Sequence, residues 1–207
     1  MSIFFSYIFL GLSLSAPIGP INAAQLDKGI KHGFLSAWLV GIGAMVADMG
    51  FMLLIYFGLA QFIMIPIVKT FIWFFGAFVL VYTGVESIKS ANATSSEEDS
   101  QRATSSKSFF TGFFMALSNP LNILFWLGIY GSILAKTMDQ YGQSQLFIYS
   151  SGIFLGILCW DFIMALVASS LKKLRKPKIL TYISVIAGLV LIGFGIYFFI
   201  QACKILI

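Results

Sequence analysis

Apolar runs long enough to cross a bilayer recur six times along this chain. They lie near Ile3–Ala24, Phe34–Gly58, Pro66–Ile88, Phe109–Ala135, Gln145–Leu171 and Ile179–Cys203. A hydrocarbon core of about 30 Å takes about 20 residues of helix at 1.5 Å each, and each run reaches that length. Lipid offers no partner to backbone N–H and C=O groups, so single runs of this kind must be helices. The pattern predicts an all-α membrane protein with six transmembrane helices, forming one transmembrane domain over residues 1–207.

The connections between runs are short except for Lys89–Lys107. That segment is crowded with Ser, Thr and charge and has too little apolar content to fold, which predicts a flexible linker. It divides the chain into two halves of three runs, about 1–88 and 108–207. Gln25 and Asp27 are expected to begin the first linker, with His32 inside it. Glu86 is expected to be a solvated charge at the end of the third run. Basic residues sort between the two sides. Lys28, Lys31, Lys89, Arg102, Lys107, Lys172, Lys173, Arg175, Lys176 and Lys178 fall on one side, and Lys69, Lys136 and Lys204 on the other. The richer side should be cytoplasmic, with both termini outside.

Composition agrees with the bilayer as solvent. The residues are 59% hydrophobic and 10% charged, against about 25% charged in a soluble domain. The net charge of +5 reflects topology and carries no basic stripe or readout motif for nucleic acid. Cys159 and Cys203 are separated and belong to no C-x-x-C, so neither a disulfide framework nor a zinc site is indicated; they read as packing residues, as do the four tryptophans. The first run has no basic residue ahead of it, unlike a secretory signal, and is expected to stay in the protein. No Walker loop, G-x-S-x-G or H-E-x-x-H occurs, so enzyme chemistry, a cofactor and a metal site are not expected.

Unusual residues fall at matching places in the two halves. The first run carries Ser15-Ala16-Pro17-Ile18-Gly19-Pro20-Ile21-Asn22, and the fourth carries Ser118-Asn119-Pro120-Leu121-Asn122. Gly43-x4-Asp48 in the second run matches Gly156-x4-Asp161 in the fifth. The third run has Gly76 and Gly84, and the sixth has Gly188, Gly193 and Gly195. Three spans per half make the second half enter from the opposite side, so the repeats would be inverted, an arrangement found in transporters with a midplane substrate site. Pro17, Gly19, Pro20 and Pro120 predict broken helices 1 and 4, since proline removes a backbone donor and clashes with the preceding turn. Asp48 and Asp161 fall near mid-span, where a charge costs at least about 2.5–3.5 kcal/mol. No Lys or Arg lies near enough to pair with them. They are candidates for proton coupling, for gripping a substrate ammonium, or for both. Asn22, Asn119 and Asn122 are candidates for satisfying the broken backbone or binding substrate.

These features resemble the lysine exporter (LysE/RhtB) family of amino-acid exporters. Pro17-Ile18-Gly19-Pro20 is similar to that family's P-x-G-P signature, and Gly41-x-Gly43-x4-Asp48, Gly76-x7-Gly84 and Asn119-Pro120 add to the likeness, which covers nearly the whole chain. The resemblance implies gradient-driven export of a small amino acid or related metabolite from a bacterial cytoplasm. It implies signature roles for Pro17, Gly19, Pro20, Asp48, Asn119 and Pro120, while Asp161 rests on the internal repeat. The expected partners are an amino-acid substrate, protons and the lipid bilayer; a homodimer fits the size of the chain. Two alternatives stay open: a heavy-metal cation effluxer of related architecture, for which Cys159 near Asp161 offers a soft ligand, and a membrane thiol–disulfide electron conduit using Cys159 and Cys203.

Overall fold

A computed structural model describes residues 3–17, 19–58, 65–89, 91, 101–132, 143–172 and 177–206. Ile18, Lys136, Lys173, Arg175 and Lys176, together with most of the 89–107 segment and the end of the fourth run, lie outside the described residues. The described chain is helical: α1 (Ile3–Ser15), α2 (Pro20–His32), α3 (Phe34–Tyr56), α4 (Pro66–Lys89), α5 (Gln101–Leu117), α6 (Pro120–Phe125), α7 (Gln143–Lys172) and α8 (Pro177–Leu206). α6 widens into a π turn at Trp126–Tyr130. Four helices, α3, α4, α7 and α8, are long and apolar enough to span a membrane alone. The pair α1–α2, bent by 76°, and the pair formed by α5 with α6 and its π turn, bent by 61°, make two more spans. Broken helices 1 and 4 are therefore present, and six spans result.

Two neighbouring segments differ from expectation. The first span does not end at Ala24: α2 continues to His32, and Gln25, Asp27 and Lys28 are buried within it. Their polarity is accommodated by pairing. Lys31 Nζ lies 2.7 Å from Asp27 Oδ1, and Lys28 Nζ lies 3.3 Å from Glu86 Oε1. Glu86 also meets Lys107 Nζ at 2.9 Å, so it is an ion-pair bridge between α2, α4 and α5 rather than a solvated charge. The 89–107 segment is likewise shorter as a linker than expected, because α5 begins at Gln101.

Between α2 and α3 only Gly33 remains as a connector, with φ +91 and ψ −171. That backbone region is open essentially to glycine alone. Gly33→Ala should cost roughly 1–3 kcal/mol, read as a lower thermal unfolding midpoint of the detergent-purified protein; an unchanged midpoint would contradict the strained turn.

The two halves pack as equivalents. α3 lies against α5, and α1 against α7. In the first seam a Cβ on Gly43 would run into the Phe109 carbonyl, and one on Gly112 into the Val40 carbonyl. In the second a Cβ on Gly156 would run into the Ile8 carbonyl, and one on Gly11 into the Ile153 carbonyl. The correspondence is residue for residue. α4 and α8 meet each other at a seam that is its own counterpart: a Cβ on Gly84 would lie 2.6 Å from the Gly188 carbonyl oxygen, and one on Gly188 2.8 Å from that of Gly84. A pseudo-two-fold axis therefore passes through the α4–α8 contact and relates inverted three-span repeats. Small residues at such seams let backbones approach closely, the means by which membrane helices associate where lipid removes the hydrophobic drive.

Candidate functional site

Each break restarts its helix on a proline. Pro20 and Pro120 stand at the first helical positions of α2 and α6, where a missing N–H costs nothing and the ring's φ suits the helix. Ahead of Pro20, Gly19 is extended (φ −127, ψ −170), its carbonyl accepts from Ala23 N–H at 3.0 Å, and no side chain caps α2. Ahead of Pro120, Asn119 offers its carbonyl to Ile123 N–H at 3.1 Å and its Oδ1 to Asn122 N–H at 3.4 Å. The two helix starts thus differ: α6 is capped by Asn119, and α2 is not capped.

Asn22 closes the first break. Its Nδ2 donates to the carbonyls of Ser15 at 3.0 Å and Pro17 at 2.8 Å, and its Oδ1 accepts from Trp160 Nε1 at 3.1 Å. Two carbonyls left over at the break are thereby satisfied inside the protein, as lipid requires. Asn122, two residues after Pro120 as Asn22 is after Pro20, makes the equivalent but longer bond across the second break, its Nδ2 donating to the Ala116 carbonyl at 3.4 Å. The same Nδ2 donates to Asp48 Oδ1 at 2.6 Å.

Asp48 on α3 is buried, and Trp126 Nε1 donates to the same Oδ1 at 2.9 Å. Trp126 is held in turn by Phe154, whose ring stacks on it at 5.7 Å. Asp161 on α7 is also buried and accepts from Gln25 Nε2 at 3.0 Å. Each half's carboxyl is therefore held by the restarted helix of the other half. Room for the Asp161–Gln25 pair comes from Gly41, where a Cβ would lie 2.5 Å from both Asp161 Cγ and Gln25 Nε2. Phe154 occupies the equivalent place in the second half, two residues before Gly156 as Gly41 is before Gly43.

One cavity of about 360 Å³ collects these groups. Pro17, Gly19, Pro20 and Asn22 line it from the first break, Asn119 and Asn122 from the second, and Asp48 and Asp161 from the spans between; Pro120 is outside its lining. Leu14, Ile21, Ala44, Phe125, Trp126, Ile157 and Phe194 supply the apolar wall. The volume is that of a small-molecule site, mostly apolar with a few convergent polar groups. Among the described residues, no Lys, Arg, His or Cys side chain lines it. Cys159 is exposed on α7 and Cys203 is half-buried on α8, two helices that share no extended seam.

Sequence reasoning missed three members of the site: Gln25, Trp126 and Trp160. Helical spacing carried a signal for two of them, because Gln25 lies one turn beyond Asn22 and Trp126 one turn beyond Asn122. Trp160 stands next to Asp161.

Comparison with known proteins shows the family and several relatives. The model of the family described as LysE type translocator matches residues 12–202. The chain is 58% identical over 205 residues to the Bacillus subtilis (strain 168) protein named "Putative amino acid efflux protein YcgF", covering 99% of this chain and 98% of that protein. It is 27% identical over 174 residues to the Pseudomonas aeruginosa "Chemotactic transduction protein ChpE" (84% and 85% covered) and 28% identical over 205 residues to the Aeromonas salmonicida "Putative amino-acid transporter YggA" (90% of each). No solved structure gives a significant match.

Proposed function

The chain belongs to the LysE type translocator family, and from that premise we propose that it is a secondary active exporter of a small amino acid or related metabolite, driven by the proton gradient across a bacterial cytoplasmic membrane. The observation that carries this reading is the cavity, which joins both intramembrane carboxyls to both helix breaks. Discontinuous helices and ionisable residues meeting at the interface of inverted repeats are how secondary transporters hold substrate. The named relative 58% identical to this chain supports amino acid efflux as the direction and cargo.

A zwitterion fits the polarity of the site. Its carboxylate is placed at the start of α2, where uncapped N–H groups and the helix dipole favour an anion; the start of α6 is less suited because Asn119 already caps it. Its ammonium meets the carboxyl of Asp48 or Asp161. The repeats of about 1–88 and 108–207 rock about this site to expose it to either side in turn. Proton uptake from outside then competes with the ammonium and promotes release.

The ends of α2, α4 and α5 gather Lys28, Lys31, Glu86 and Lys107 on one side of the molecule, and Thr181 at the start of α8 bonds the Ala91 carbonyl there. That basic side is cytoplasmic in this reading, with both termini outside.

The test is efflux from proteoliposomes preloaded with a panel of labelled amino acids, with and without an imposed pH gradient. At least one amino acid should leave faster than from protein-free vesicles, and faster again when the receiving side is acidic. Efflux of none of the panel would overturn the cargo assignment, and efflux indifferent to the gradient would overturn the coupling.

A further inference from the structure

We propose that Asp161 carries the coupled proton and that Gln25 is its positioning residue, an amide that serves the carboxylate and the acid in turn. This inference rests on the proton-driven reading given above. It names which of the two cavity carboxyls titrates during transport and what the protein does to accommodate both of its states.

Gln25 carries an unmatched acceptor beside Asp161. Gln25 is fully buried, and while its Nε2 donates to Asp161 Oδ1 at 3.0 Å, its Oε1 has no hydrogen-bond partner among the described residues. A buried carbonyl oxygen without a donor costs about 1–3 kcal/mol, so its persistence calls for a state in which it is used. An ionised carboxylate offers only acceptors and cannot supply that donor. A protonated Asp161 can. A half-turn about the last torsion of Gln25 puts Oε1 where Nε2 stood, in reach of the acid O–H. The amide group is unusual among side chains in carrying both functions at one end of a flexible stem. The space in which it turns is kept by Gly41, since a Cβ there would lie 2.5 Å from both partners.

Asp48 is held differently. Its Oδ1 accepts from Asn122 Nδ2 and Trp126 Nε1. An indole nitrogen donates and never accepts, and Trp126 is fixed by the ring of Phe154 stacked on it. Trp126 thus fixes Oδ1 as an acceptor whichever way the Asn122 amide turns, which suits a carboxyl that receives a substrate ammonium.

Among the described residues packed around Asp161, the competing proton site is Asp48. α7 packs against α1, α2 and α3. From α3 the titratable group facing it is Asp48. On α2, Asp27 and Lys28 are ion-paired to Lys31 and Glu86, with His32 at the far end of the helix. From α1, Tyr7 stacks on Tyr149 near the start of α7. Proton transfer balances simply: a proton from the outer solution adds to the Asp161 carboxylate, the amide turns, and the same proton leaves to the cytoplasm when the cavity opens inward.

The experiment is difference infrared spectroscopy of the full-length protein in proteoliposomes, taken between neutral and acidic buffer without added amino acid. A protonated carboxylic acid has its own C=O stretching band, and loss of its hydrogen bond moves that band to higher frequency. Wild type should show the band. Asp161→Asn, which keeps the size of the side chain, should lose it, and Asp48→Asn should retain it. Gln25→Leu should shift it to higher frequency, a change that mere loosening of the fold does not produce, and Gln25→Asn with added reach lost should do the same in part. A band that disappears in Asp48→Asn but survives in Asp161→Asn, or one that Gln25→Leu leaves in place, overturns this inference while proton coupling stands. Absence of any band in wild type overturns both.

Discussion

Asp48→Asn should abolish gradient-driven efflux while the protein continues to insert and fold. The fold is spared because an Asn Oδ1 still accepts from Asn122 Nδ2 and Trp126 Nε1, the two bonds that hold the native carboxyl. Insertion is spared because a mid-span carboxylate is itself a burden of at least about 2.5–3.5 kcal/mol, and the amide removes it. What is lost is the charge facing the cavity. A buried ammonium deprived of its counter-charge costs about 3–5 kcal/mol, and 1.4 kcal/mol is tenfold, so transport at low substrate should fall by roughly two to three and a half orders of magnitude. Labelled efflux from proteoliposomes, with the amount and monodispersity of reconstituted protein as controls, measures this. Full efflux in the variant would remove Asp48 from the mechanism.

Most of the architecture was legible because lipid imposes a length. α3, α4, α7 and α8 lie within a few residues of the runs read from hydropathy, and proline placed both breaks. The errors in where the first and fourth spans begin and end have one cause: hydropathy scores a residue without its partner. Asp27, Lys28 and Lys31 look like a linker, yet pairing with one another and with Glu86 carries α2 on to His32. The repeat was legible in its content and misread in its register. Ser15-x-Pro17 matches Ser118-x-Pro120 by eye, but the helices restart at Pro20 and Pro120, which pairs Pro20-Ile21-Asn22 with Pro120-Leu121-Asn122. The divergence of the halves is what a matching pattern hides. Gly41 and Phe154 hold equivalent places, one making room for Gln25 beside Asp161 and the other bracing Trp126 over Asp48. Neither role can be read before the chain is folded, because each depends on a helix from the opposite half.

Gly43→Leu and Gly156→Leu should damage the protein equally, and Gly50→Leu should not. Gly43 and Gly156 stand where their helices touch the backbones of α5 and α1, and any Cβ would meet a carbonyl. A carbonyl in a helix cannot move aside as a side-chain end can, so the helices must separate. Added methylenes in a packed interior cost typically about 1–3 kcal/mol, and forcing two backbones apart along a seam places these variants at or above the upper end of that range. Separation also moves Asp48 away from Asn122 and Trp126 in one half, and Asp161 away from the cavity in the other, so transport is lost with stability. Gly50 lies on the same helix as Gly43 with open space beyond it, and leucine there faces lipid. Detergent-purified variants heated in steps and passed over a sizing column report the surviving monodisperse fraction. The expected order is wild type and Gly50→Leu together, with Gly43→Leu and Gly156→Leu well below and alike. If one seam tolerates leucine and the other does not, the halves are not mechanical equivalents, and a two-fold rocking of one repeat against the other loses its structural basis.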